Sequence, residues 1–187
     1  MTTTKTLQEE NFNNGKLLET WYWLREKPNN WRLKNDGLEV RVEPGLADSV
    51  INALMIPAPD RSSGRYSIEV SVSNITPPIQ QYEQIGITWY IDGKPVFKLV
   101  KELIDGDLYV IPGRCPVPDT TVHLRLTVEA NSWEAAYKIK EEDEFVIADQ
   151  GELPPQDRDH ISLQCYNGPD DEEHWVRFEN FRVTQCD

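Results

Sequence analysis

Several features are scarce or missing in this chain of 187 residues. No run of about 18 apolar residues occurs, and the opening MTTTKTLQEENFNN has no apolar stretch of the kind a secretory signal carries. Neither a membrane-spanning helix nor a leader is expected, and the chain as given reads as cytoplasmic. Asn74-Ile75-Thr76 matches a glycosylation sequon, but without a secretory signal it is read as incidental. Cationic residues are too few for a phosphate-binding surface: 19 Lys and Arg against 32 Asp and Glu give a net charge of −13. Such a surface repels phosphate backbones and anionic lipid, which argues against nucleic acid and membranes as partners.

Cysteine is sparse as well. Cys115, Cys165 and Cys186 cannot all pair within one chain, and none has a C-x-x-C or other metal-ligand spacing, so reduced thiols and no zinc site are expected. There is no G-x-S-x-G elbow, the three histidines His123, His160 and His174 are scattered, and no glycine-rich loop leads from a strand into a helix. These absences remove the usual nucleophilic hydrolase and nucleotide-binding readings.

What the chain has is β-pattern. A hydrophobic fraction of 39%, with six Trp, seven Tyr and five Phe, is enough for a two-layer core. The most legible stretch is 84–112. Asp92-Gly93 lies between two runs rich in β-branched and aromatic residues, a strong hairpin signal, and Asp105-Gly106 launches a third run. Ile85, Ile87, Trp89 and Ile91 share one parity and Gly86, Thr88 and Tyr90 the other. In the next run Phe97, Leu99 and Leu103 separate from Lys98 and Glu102.

The same alternation recurs at 38–42, 66–72, 123–129 and 161–166, with Asn35-Asp36-Gly37, Pro44-Gly45, Pro77-Pro78 and Asn131-Ser132 as turns. Leu18–Leu24 reads as a strand, and 50–56 as a buried one. Gly151–Asp159, with Pro154-Pro155, reads as a surface loop on the rim of a site. A bulge is expected near Asn180. About a dozen short strands and no convincing helix predict an all-β chain folded as one two-sheet antiparallel β-sandwich over 1–187.

In order and spacing, a set of motifs resembles the concanavalin A-like lectin/glucanase superfamily of jelly-roll sandwiches. The closest likeness is to a regulation-of-enolase-like branch related to C-terminal modules of some xylosidases. The motifs are Trp21 and Trp23-Leu24-Arg25-Glu26 with Trp31, Gly37-Leu38, Gln84-Ile85-Gly86-Ile87 with Tyr90 and Asp92, Phe97-Lys98-Leu99 with Glu102, His123-Leu124-Arg125-Leu126, and Leu163-Gln164-Cys165-Tyr166-Asn167-Gly168 running to Trp175 and Phe178–Phe181. The resemblance implies a sandwich whose curved outer face receives carbohydrate in many members, and it fixes fold better than function.

Sugar rings are held by aromatic faces and by charged or amide groups that pair with hydroxyls. Tyr90, Lys98, Glu102, Arg125, Gln164, Trp175 and Arg177 stand at the polar parity of their strands and are the candidate ligand-binding set, expected on one sheet face. The competing reading makes Lys98, Glu102 and Arg125 a cross-strand ion network on a solvated face. Trp89, Phe97 and Phe178 stand at core parity, and Trp21, Trp23 and Trp31 suit either a core or a sugar platform.

For catalysis, no Glu-x-Asp-x-Glu strand is present, and only Glu102 and Glu129 remain as an acid and base. For Ca²⁺, Asp105-Gly106-Asp107 and Asp170–Glu173 offer oxygens, although a turn and a solvated loop are the plainer readings. The sequence therefore points to a non-catalytic module binding a carbohydrate or similar metabolite, without a cofactor. A protein-partner or regulatory role is the first alternative and a glycoside hydrolase the second.

Overall fold

Period-two alternation with turn residues between the runs yields strands that bury one face each, and two sheets then cover each other's apolar sides. The computed structural model of the chain describes residues 4–186. Its strands in chain order are β1 (Lys5–Glu10), β2 (Tyr22–Leu24), β3 (Trp31–Leu33), β4 (Leu38–Arg41), β5 (Ala53–Pro57), β6 (Arg65–Asn74), β7 (Gln84–Ile91) and β8 (Lys94–Ile104). They continue as β9 (Asp107–Ile111), β10 (Cys115–Pro116), β11 (Val122–Glu129), β12 (Ser132–Lys138), β13 (Val146–Glu152), β14 (His160–Tyr166) and β15 (Trp175–Cys186). Among the described residues the helical content is a single 3₁₀ turn at Pro28–Asn30.

Sheet I runs β13-β12-β11-β6-β15-β4-β3, with β1 also paired to β15, and sheet II runs β10-β9-β8-β7-β14-β5-β2; every pairing is antiparallel. The all-β sandwich expected from the sequence is the fold. Its core lies between the sheets. Ile85, Ile87 and Trp89 from β7 and Ile161 and Leu163 from β14 pack with Ile68, Leu124, Leu126 and Phe178 from sheet I, all fully buried. Each such side chain contributes about 1.5–3 kcal/mol by leaving water.

The 84–112 meander forms as its turns predict. Asp92 and Gly93 take φ of 49° and 74°, and Asp105 and Gly106 take 54° and 89°, the left-handed region that Asp and Gly tolerate. The bulge at Asn180 is present: the β15–β6 register shifts between Glu179 and Arg182, and Asn180 has φ 53°.

Three expectations change, and one strand is new. The strand at 18–24 is confined to Tyr22–Leu24. The strand at 50–56 begins only at Ala53, and the residues before it form a strap over the outer face of sheet II. Residues 151 and 152 complete β13, and the loop after them is pinned by the buried side chains of Leu153 and Asp159. Strand β1 lies in a polar segment with no alternation to betray it, because as an edge strand it is wetted on both sides.

Trp21 packs edge-on to Phe181 at 4.8 Å, and Trp23 and Trp31 lie 4.8 Å apart against the core, so these three serve packing. Trp89 and Phe178 are buried at core parity and Phe97 is packed against the same cluster, as their positions in the pattern require.

Candidate functional site

The outer face of sheet II is written in register. Crossing the strands, one row reads Met55–Ser162–Thr88–Lys98, the next Gln164–Gly86–Val100–Ile111, and the next Tyr166–Gln84–Glu102–Tyr109. His160, Tyr90 and Pro95 form a further row at the hairpin end, where β8 carries one extra residue at Val96. The face is thus polar along its middle strands and flanked by aromatic side chains.

Two hydrogen-bond clusters occupy it. Lys98 Nζ donates to Gln84 Oε1 at 2.8 Å and to Glu102 Oε2 at 3.1 Å, while Gln84 Nε2 donates to Glu102 Oε1 at 3.2 Å. An ammonium group has three donors, so one N–H of Lys98 remains for a ligand, and the side chain is one-third exposed. Beside it, Tyr90 Oη donates to Gln164 Oε1 at 3.0 Å, and Ser162 Oγ donates to the same oxygen at 2.9 Å. Gln164 Nε2 is buried with no partner, and so is Thr88 Oγ1. Turning the Gln164 amide over leaves one of its two polar atoms unmatched in either orientation. Buried polar atoms without partners are costly and mark where an additional group or water belongs. Burial raises the pKa of Tyr90 and Tyr166 above the usual tyrosine value, with Glu102 adding to the effect at Tyr166, so both phenols stay protonated donors.

A hollow of about 490 Å³ opens over Thr88 and Lys98. Tyr166, Phe97, Ile111 and Pro112 border it, and Trp133 and Asp149 reach it from sheet I. Trp133 is fixed by Phe97, with ring centroids 4.3 Å apart, and by Gly151, where a β-carbon would stand 2.7 Å from the indole. A second hollow of about 270 Å³ lies at the other end of the face, with Tyr22, Tyr90 and His160 among its walls. Between them runs the strap, whose Ala47 and Val50 pack with Met55, Tyr90 and Tyr166 in a small apolar cluster.

The structure brings together four of the seven residues singled out in the sequence: Tyr90, Lys98, Glu102 and Gln164 share the outer face of sheet II. The other three do not join them. Arg125 on β11 and Trp175 and Arg177 on β15 belong to sheet I. Arg125 stacks its guanidinium 4.2 Å over the Phe145 ring. Trp175 lies under Arg32 at 4.3 Å. Arg177 caps the 34–37 turn by donating to the carbonyls of Lys34 and Asn35, and its guanidinium fills the space a side chain at Gly37 would need. The one-face expectation is corrected because alternation reports which side of a strand is wet, while the sheet each strand joins is decided by distant pairings.

Glu102 and Glu129, weighed as acid and base, are likewise divided between β8 of sheet II and β11 of sheet I. Asp105, weighed as a cation ligand, is engaged by Gln81 and Arg114 in its turn. In the 170–173 run Glu172 faces His174 and Glu173 faces Arg41. Among the described residues no group of three or more His, Cys, Asp or Glu is placed to hold a metal ion.

The sequence reading missed Thr88, Ser162 and Tyr166, although all three stand at the wet parity of strands it identified. It missed Ala47 and Trp133 because their places depend on contacts far along the chain.

No protein-family profile matches this chain, and no curated protein matches it in sequence. Solved structures do match in fold. A GH43 protein from Bacillus licheniformis superposes with a TM-score of 0.76 at 14% identity, over 94% of this chain and 38% of that one. A xylan β-1,4-xylosidase from Bacillus halodurans gives 0.71 at 12% identity, over 96% of this chain and 39% of that one. The CBM2 module of the evolved Dit of Lactobacillus casei phage J-1 gives 0.61 at 10% identity, over 99% and 97%. The chain therefore spans about two-fifths of the first two, and at these identities the likeness establishes the β-sandwich of jelly-roll type.

Proposed function

We propose that the outer face of sheet II binds a carbohydrate without transforming it, in the hollow over Thr88 and Lys98. One observation carries the reading. A free Lys98 donor opens into a hollow that Tyr166 and Trp133 border, with the buried, unmatched Thr88 hydroxyl and Gln164 amide under the same face. This is the pairing of apolar ring faces with directional hydrogen bonds that sugars require. The volume is in the range of small-molecule sites. The fold neighbours, which include a xylan β-1,4-xylosidase and a CBM2 module, support a saccharide ligand. The order and spacing of the motifs from Trp21 to Phe181 support the regulation-of-enolase-like branch related to xylosidase C-terminal modules as this chain's place, with residues 1–187 acting as one domain.

The separation of Glu102 and Glu129 supports a non-catalytic role. Glu102 is held by Lys98 and Gln84, and its proposed partner Glu129 is on the other sheet. Hydrolysis needs two carboxyl groups flanking one bond. The three cysteines are unpaired, which supports a reducing, cytoplasmic location.

Screening a glycan library by thermal shift tests the reading, since a ligand selective for the folded state raises the melting temperature. A saccharide hit that weakens at least about tenfold in Lys98→Met, roughly 1.4 kcal/mol, and is unchanged in Arg125→Ala is expected. A hit that ignores Lys98→Met and fades with Arg125→Ala would transfer the site to sheet I.

A further inference from the structure

We propose that the strap makes this an end-recognising site, one that accepts a free short saccharide or the terminus of a chain and rejects the interior of a polymer. The inference rests on the carbohydrate reading above and concerns what class of saccharide fits.

The outer face of sheet II is divided. Its larger hollow holds Thr88 and Lys98 and its smaller one Tyr22 and His160, and all four residues belong to sheet II. The strap separating them is a built element. Val50 is fully buried and its carbonyl accepts from Arg25 Nε at 2.6 Å; the carbonyl oxygen of Ala47 lies 3.3 Å from Tyr90 Oη. At its end Asn52, also fully buried, accepts from the Lys27 amide at 2.6 Å and donates to the Lys27 carbonyl at 3.2 Å. Beneath it Tyr90 and Met55 are almost wholly covered. A ligand lying across the strands therefore meets Ala47 and cannot continue over Tyr90 into the second hollow.

The other way across is bordered by sheet I. Asp149 and Trp133 stand there, and the neighbouring turn is pressed against β13: a β-carbon on Gly113 would lie 2.4 Å from the Ala148 carbonyl oxygen. An interior segment of a polysaccharide needs an exit at each end. Here a chain laid across the strands meets Ala47 on one side and Asp149 with Trp133 on the other, and the direction outward to solvent is one that a single terminus can use. The donor that would read the terminal unit, Lys98 Nζ, stands between the two walls, with Thr88 in the floor beside it.

Titration calorimetry with xylobiose, xylohexaose and soluble xylan tests this, together with the variant Tyr22→Ala, whose half-exposed side chain lies in the second hollow. The expected result is a dissociation constant per chain that is the same for xylobiose and xylohexaose to within about twofold, weak uptake of xylan in proportion to its chain ends, and no effect of Tyr22→Ala. Affinity that climbs with chain length, binding of xylan in proportion to its mass, or a loss of about tenfold in Tyr22→Ala would overturn end recognition while leaving saccharide binding in place. If none of the three binds, and cellobiose, maltose and a broad glycan library also leave the melting temperature unmoved, the carbohydrate reading itself fails and takes this inference with it.

Discussion

Arg61 Nε donates to Asp159 Oδ2 at 2.8 Å, joining two side chains that are 98 residues apart and almost wholly removed from solvent. The same carboxylate oxygen accepts from Trp89 Nε1 at 2.8 Å, and the other accepts from the Asp157 amide. Arg61 also donates to the carbonyls of Ala130 and Pro154 and to Asn131 Oδ1. One guanidinium thus ties three loops to the core Trp89 at one end of the sandwich. Removing it strands a buried carboxylate, which typically costs about 3–5 kcal/mol. Arg61→Ala should lower the unfolding free energy by that amount in guanidinium titration. A loss under about 1 kcal/mol would mean that the loops are held by other contacts.

Gly86 sits in the middle of the candidate face, between Gln164 and Val100. A β-carbon there would lie 2.2 Å from the Leu99 carbonyl oxygen and 2.8 Å from Val100 Cα, both backbone atoms. Neither neighbour can rotate away, so β7 and β8 must part. Gly86→Ala is expected to destabilise by about 1–3 kcal/mol, the usual range for overpacking, and to weaken the Lys98–Gln84–Glu102 cluster that spans the same two strands. Thermal unfolding of the variant at the wild-type midpoint would show that the sheet absorbs the methyl group and that the close approach is not structural.

The fold was legible because its signals are local. Asp92-Gly93 and Asp105-Gly106 fix two hairpins, and alternation correctly assigns Ile85, Ile87 and Trp89 to the interior and Thr88 and Tyr90 to the exterior. The site was half legible for a physical reason. Lys98 and Arg125 both point outward from their strands, yet β8 and β11 lie in different sheets, so outward means opposite surfaces. That distinction is made by pairings such as β11 with β6, which no window of neighbouring residues encodes. Lys101 is a different failure of pattern: it stands at core parity between Leu99 and Leu103 and is buried, its ammonium donating to the Thr120 carbonyl at 2.9 Å.

His123 gives the protein an acid-side weakness. On the outer face of sheet I its Nδ1 lies 2.8 Å from Ser71 Oγ, and desolvation lowers its pKa below 6.5, opposed by Glu141, Glu179 and Glu69 and assisted by Lys138. The unfolded chain, with a histidine near 6.5, then takes up the proton first as the pH falls. Stability is full above the unfolded value and declines as pH drops through it towards the folded value. His123→Gln should flatten the fall in melting temperature between about pH 7 and 5, a window set by the unfolded value. An unchanged slope would assign the acid sensitivity to other groups.

Cys165 supplies a clock for global opening. It is fully buried on β14, its Sγ 3.6 Å from the Arg41 carbonyl oxygen, and burial, with Glu83 and Glu43 adding to it, pushes the thiol pKa far above its ordinary range. Alkylation requires both a thiolate and access, and this site offers neither. Cys115 and Cys186 are partly exposed. Treatment of the native protein with iodoacetamide, followed by mass spectrometry, should label Cys115 and Cys186 and spare Cys165. Because Cys165 lies between the sheets, its labelling then requires them to separate, and its rate should rise with denaturant in step with unfolding followed by circular dichroism. Labelling of Cys165 at a rate independent of denaturant would reveal a local opening at the β14 end of the core, next to the buried His174–Glu83 pair, whose Nδ1 and Oε1 are 2.7 Å apart.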